Sequence, residues 1–151
     1  MYRHREHPEV FLIHPGGPFW ANKDIGAWTI PKGEYTDDEH PLDAAIREFT
    51  EETGFTAPPS DSPAYIELGT IRQPSGKLVT AWAFAGDCDP AALVSNTCEI
   101  EWPPRTGRKL EIPEADRGAW FSLSEAHERI NKGQQSLLAR LSQRLETTSM
   151  S

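Results

Sequence analysis

Three glutamates, Glu48, Glu51 and Glu52, lie within the nine residues Arg47-Glu48-Phe49-Thr50-Glu51-Glu52-Thr53-Gly54-Phe55, with Asp43 just upstream. With Glu48 set at the origin of a helical wheel of about 100° per residue, Glu51 falls at about 300° and Glu52 at about 40°. Leu42, Ala45, Ile46 and Phe49 occupy the sector from about 60° to about 160°. One face is therefore apolar and core-directed, the adjacent face carries three carboxylates, and Arg47 lies on the other side of the acids. Local stability opposes this arrangement twice. Like charges three and four residues apart cost on the order of a few tenths of a kcal/mol per pair. Acids in the last turns also face the negative end of the helix dipole. A divalent cation would remove both penalties, and hard oxygen ligands without Cys or His suit Mg²⁺ or Mn²⁺. An acid-rich helix face is in most proteins only a solvated face. The residues around the helix decide between the two readings.

Gly33 precedes Glu39 with five residues between, and Glu39 precedes Arg47 with seven between. The whole span, Gly33 to Phe55, resembles the Nudix box, GX5EX7REUXEEXGU, in which U is a bulky apolar residue. All nine specified positions match. A chance match in a chain of this length has a probability on the order of 10⁻⁷ from average residue frequencies. The preceding "GAWTIPKGE" is similar to the strand and turn that lead into that box.

The resemblance implies hydrolysis of a nucleoside diphosphate linked to some group X. It implies Glu48, Glu51 and Glu52 as metal ligands, with Gly33 adding a backbone carbonyl. It implies Glu39 and Arg47 as a pair that orients the acids of the box, against the alternative of a surface ion pair. Glu52 and Glu48 both qualify as general base, as does a carboxylate from a distant loop. For the distant loop, Glu114, six residues before Trp120, has the spacing of MutT-like members; Glu111, Glu99 and Glu101 compete with it. Lys32 is the expected phosphate contact beside the box. Arg105 and Arg108, with Lys109, form the local basic cluster of an acidic chain and are expected either to grip further phosphates or to be solvated. Trp20, Trp28, Trp82, Phe84 and Trp102 are either core aromatics or a stacking surface for a base. His14 and Lys23 belong to the Gly/Pro-rich run "HPGGPFWANKD", a loop that would lie beside the box, with His14 read as structural.

The chain has 151 residues and a formal net charge of −8. That length fits one domain, expected over residues 1–145 with a flexible tail at 146–151. The acidic balance disfavours long nucleic acid, an RNA decapping role included, but leaves a small phosphorylated substrate open once cations are recruited. No apolar run has the length of a membrane span and no leader peptide is visible, so a cytoplasmic protein is expected. Cys88 and Cys98 read as free thiols, without the spacing of a zinc site.

The elements that must position these residues are short. Strands are expected at "VFLIH" (10–14), "AWTI", 64–73, 77–87, 96–102 and "GAWFSL", with a hairpin turn at "PSG" and a loop at 103–109. Pro41 suits the first turn of the acidic helix and Gly54 its C-terminal stop. Ser124 is expected to cap a further helix, and "QQSLLARLSQRLE" to form an amphipathic one with Leu137, Leu138, Leu141 and Leu145 on one face. The mixture predicts an α/β (α+β) architecture, a mixed β-sheet sandwiched between helices; the resemblance implies the Nudix fold. In similar proteins the first strand precedes the point where this chain begins, and "MYR" reads as its end. A missing strand would leave an edge open to pairing between protomers, so a monomer or homodimer is expected. The function expected from the resemblance is a metal-dependent pyrophosphohydrolase of a nucleoside triphosphate or dinucleoside polyphosphate. ADP-ribose or nucleotide-sugar hydrolysis, or non-catalytic nucleotide sensing, are the alternatives.

Overall fold

Five consecutive buried residues, Val10 to His14, lie on one strand, and the rest of the chain is arranged around it. The computed structural model describes residues 1–32 and 38–150, apart from the side chains of 148–150. The chain order is β1 (Tyr2–His4), β2 (Pro8–Pro15), α1 (Pro41–Thr53), β3 (Ile66–Arg72), β4 (Leu78–Ala83), β5 (Thr97–Glu101), β6 (Lys109–Pro113), β7 (Ala115–Ser122), α2 (Leu123–Arg129) and α3 (Gln135–Met150).

The buried strand is β2, which pairs antiparallel with β1 on one side and β7 on the other. The β3–β4 hairpin joins through the residues after β4: Tyr2 N–H donates to the Phe84 carbonyl at 2.9 Å, and Gly86 N–H to the Tyr2 carbonyl at 2.9 Å. This contact is parallel, so the assembly is mixed. It pairs the outer side of β1 at Tyr2 alone, in part of the edge that the sequence left in question.

Alternation along β2 sends Val10 and Leu12 to one face and Phe11 and Ile13 to the other. Val10 and Leu12 pack with Phe121, with Ala126 of α2 and with Leu138 and Leu141 of α3. Phe11 and Ile13 pack with Ala115, Leu93, Trp120 and Phe55, the residue just past α1. On α1 itself, Phe49 meets Phe84 edge-on at 5.3 Å. Helices thus cover both faces, as the apolar stripes predict. Leu137, Leu138 and Leu141 are buried and Leu145 packs beside them.

Three details differ from the sequence expectation. β6 was not foreseen. Its residues are mostly exposed and it is held by pairing with β5 rather than by burial, so it carries no hydrophobic signal. The cap of α2 is Ser122, whose hydroxyl accepts from Glu125 N–H at 3.3 Å, and not Ser124. Finally, the expected strand "AWTI" is absent, because Trp28 and Thr29 make only isolated bridges, to Ile130 and to Ile13. α3 runs from Gln135 to Met150. No Gly or Pro stops it, and the Thr147 hydroxyl donates back to the Gln143 carbonyl.

Candidate functional site

Pro41 opens α1 and the His40 ring nitrogen accepts from Leu42 N–H at 3.2 Å. Ala44, Phe49 and Thr53 bury the apolar face. The helix ends at Gly54, whose φ of 77° is left-handed and whose N–H donates to the Thr50 carbonyl. A strap then satisfies two further terminal carbonyls: Asn96 N–H donates to Glu51 O at 2.7 Å and Val94 N–H to Thr53 O at 3.0 Å. The same strap holds the bend between β6 and β7. Glu114 N–H donates to the Asn96 carbonyl at 2.9 Å, and Ala115 N–H to the Ser95 hydroxyl at 3.0 Å. Residues 94–96 therefore bring Glu114 to the acidic end of α1 across a large sequence separation. Neither Ser95 nor Asn96 was singled out from the sequence, which reads 96–102 only as a strand.

The predicted pair of Glu39 and Arg47 is present and two-pronged, at 2.9 and 3.0 Å. Arg47 also donates to Glu48 at 2.7 Å and to Glu51 at 3.2 Å. These bonds push the Arg47 guanidinium further towards its charged form and hold the Glu39 carboxyl below the ordinary range. Glu48 is the most enclosed of these acids, with a side chain 13% exposed. Glu52 accepts from Lys32 N–H at 2.6 Å. Its acidity is the most altered in the site: burial, then the charges of Glu48 and Glu114, push its carboxyl up from 4.5 to about 8. Burial and the charges of Glu48 and Glu51 push Glu114 up as well. Glu48, Glu51, Glu52 and Glu114 therefore share one field.

Among the described residues, no three His, Cys, Asp or Glu side chains stand together as a ready metal cage. Of the three carboxylates read from the helical wheel, Glu48 and Glu51 are drawn together on Arg47, while Glu52 turns to the Lys32 N–H. Each of Glu48, Glu51 and Glu52 commits one oxygen to these bonds, and among the described residues the other oxygen of each is not bonded. The donor set is all oxygen and is short of positive charge at Glu52. A hard divalent cation fits it.

The remaining predicted residues are placed unevenly. Gly33 lies outside the described residues. Lys32 sits beside Glu52 and its side chain lines an apolar cavity of about 140 Å³ between α1 and β3–β4, with Trp82 and Phe84. Arg105 and Arg108 are exposed at the tip of the β5–β6 hairpin, and Lys109 pairs with Glu99 at 3.3 Å. No hydrogen bond or ion pair among the described residues joins that tip to α1. Trp28 and Phe84 are core, Trp20, Trp82 and Trp102 are half-buried, and both cysteines are free.

The NUDIX domain family matches residues 1–141, and the chain belongs to that family. It is a pyrophosphohydrolase of the Nudix class, a class that generally uses divalent metal ions. A mutT/nudix family protein from Listeria innocua is similar in structure, with a TM-score of 0.62 and 19% identity over 99% of this chain and 92% of that one. The NUDIX domain of Shewanella oneidensis NrtR, solved as a complex with ADP ribose, gives 0.60 and 16% over 95% and 82%. A C. elegans Ap4A hydrolase binary complex gives 0.56 and 21% over 97% and 93%. No helix among the described residues is long and apolar enough to cross a membrane.

Proposed function

We propose that the chain hydrolyses a pyrophosphate bond of a nucleoside triphosphate or dinucleoside polyphosphate, with Mg²⁺ or Mn²⁺ held by Glu48, Glu51 and Glu52. The observation that carries this reading is the meeting of Glu48, Glu51, Glu52 and Glu114 in one field around a carboxyl displaced to about 8. The bound cation would neutralise the diphosphate and acidify a water. The protein's own groups do the rest. Glu39 and Arg47 orient Glu48 and Glu51 by charge-assisted hydrogen bonds. Lys32 N–H fixes one Glu52 oxygen, and the Lys32 ammonium is assigned to phosphate. Glu52, Glu48 or Glu114 would take the proton of the attacking water, the three carboxylates that share the field beside the cation site. Gly33 is assigned a carbonyl contact to the cation. Arg105 and Arg108 are assigned only to outer phosphates of a long substrate, as no hydrogen bond or ion pair among the described residues ties them to α1.

A second reading, a nucleotide-binding domain without turnover, is favoured by one feature: Arg47 already occupies Glu48 and Glu51. ADP-ribose is the ligand class it would take, by analogy with the NrtR complex. One experiment separates the two. Nucleoside triphosphates, diadenosine polyphosphates, ADP-ribose and nucleotide sugars are incubated with Mg²⁺ or Mn²⁺ in ¹⁸O water, and products are identified by mass. Hydrolysis with ¹⁸O in one phosphate product, abolished in Glu52→Gln, is expected. Tight binding of unchanged ligand, or a Glu52→Gln variant as fast as the parent, overturns the proposal.

A further inference from the structure

The β2–β7 ladder pairs Ile13 with Gly118 and His14 with Arg117, but Pro15 with Ala115. Asp116 is therefore the extra residue of a β-bulge, with no partner across the ladder. The bulge resets the alternation of β7. Gly118 and Ala115 both lie on the Phe11 face, where regular alternation would have placed Asp116 instead of Ala115. The Asp116 side chain is turned to His14, whose Nδ1 lies 3.1 Å from an Asp116 oxygen. His14 is fully buried, and its Nε2 donates to the Lys23 carbonyl at 2.6 Å. The ring is thus clamped between the bulge and the loop that follows β2. Two residues further on, Gly16 N–H donates to the Glu114 carbonyl at 3.2 Å. The approach is so close that a Cβ on Gly16 would lie 2.0 Å from the Pro113 carbonyl oxygen.

We propose that His14 and Asp116 are positioning residues for Glu114: their bond fixes which residue of β7 is extra and so where the β6–β7 bend presents the Glu114 carboxylate. A bulge is held in place only by local contacts, and a shift by one residue moves the chain by about 3.3 Å. A misplacement of about 1 Å at a reacting group can cost about a hundredfold in rate. Asp116 sits two residues after Glu114, and Gly16 two after His14. The two contacts thus brace the same bend from opposite strands. The inference rests on the role given to Glu114 above.

The Asp116 side chain is 28% exposed and its loss leaves Nδ1 of the buried His14 without that partner, so the melting temperature of each variant is measured beside its kinetics. Asp116 also lies 3.5 Å from Arg117, which calls for a separate control. The test measures kcat and KM with diadenosine tetraphosphate, and Mn²⁺ affinity by electron paramagnetic resonance, for Asp116→Ala, Asp116→Asn, Arg117→Ala, Glu114→Gln and the double variant Asp116→Ala/Glu114→Gln. Asp116→Ala is expected to lower kcat about tenfold or more with KM changed less than about threefold, and to weaken Mn²⁺ binding because the Glu114 charge adds to the field of Glu48 and Glu51 at the cation site. Asp116→Asn can still bond the ring and is expected to stay within about threefold of the parent, as is Arg117→Ala. In the Glu114→Gln background Asp116→Ala should have no further effect on either quantity. Equal losses in both backgrounds, or an Asp116→Asn as poor as Asp116→Ala, overturn the inference. The Mn²⁺ cycle decides if the probe is not turned over. A Glu114→Gln that matches the parent in both rate and Mn²⁺ affinity removes the role of Glu114 itself and the inference with it, a result separable from additivity.

Discussion

At the scale of the residue, Glu52 carries the strongest signature of function. Its carboxyl, displaced to about 8 from an ordinary 4.5, binds its proton more tightly in the folded chain than in the unfolded one. Between those two values the unfolded state loses its proton first, so folding stability falls as pH rises from about 4.5 towards about 8 and is fully retained only below that window. Glu52→Gln abolishes this dependence. In EDTA, melts from pH 5 to pH 8.5 should show the parent losing thermal stability as pH rises and the Gln variant losing less. Parallel pH profiles for the two proteins would remove the buried-charge account of Glu52. The acids and their partner were legible in the sequence because box spacing encodes them directly: Arg47 gathers Glu39, Glu48 and Glu51, and Glu52 lies within the field of Glu48. What spacing did not encode was that Glu52 is held by the Lys32 N–H and not by Arg47, because the partner of a buried carboxylate depends on three-dimensional proximity.

At the scale of the element, α1 is fixed at its C-terminus by a strap rather than by its own sequence alone. Gly54 is left-handed, and a Cβ there would lie 2.9 Å from the Val94 carbonyl oxygen. Gly54→Ala should therefore lose about 1–2 kcal/mol in chemical denaturation, more than the usual gain from removing a flexible glycine. A variant as stable as the parent would show that the strap can retreat at no cost. The end of α1 was legible because Gly after a periodic run is a local signal. The strap at 94–96, the β6 strand and the bulge at Asp116 were not. Each is specified by backbone hydrogen bonds between segments far apart in the chain, and its side chains are too exposed or too few to leave a pattern. Glu114 was reached only through family spacing, and the strap supplies the physical reason it arrives beside Glu51.

At the scale of the whole molecule, a chain with a net charge of −8 and clustered acids must recruit positive charge before it can hold a polyphosphate. The architecture was readable because β2 is apolar on both faces and the helices have single apolar stripes, which together leave only a layered arrangement. The identity of the group X was not readable, since the aromatics that would stack on it are the same ones that build the core. The central claim is that Glu48, Glu51 and Glu52 hold a divalent cation, with Arg47 able to yield its oxygens. It is tested most directly by titrating Mn²⁺ into the parent and into Glu52→Gln at pH 8, following free Mn²⁺ by electron paramagnetic resonance. The account predicts saturable binding by the parent that weakens at least about tenfold in Glu52→Gln. Equal affinities, or no saturable binding by the parent, would contradict it.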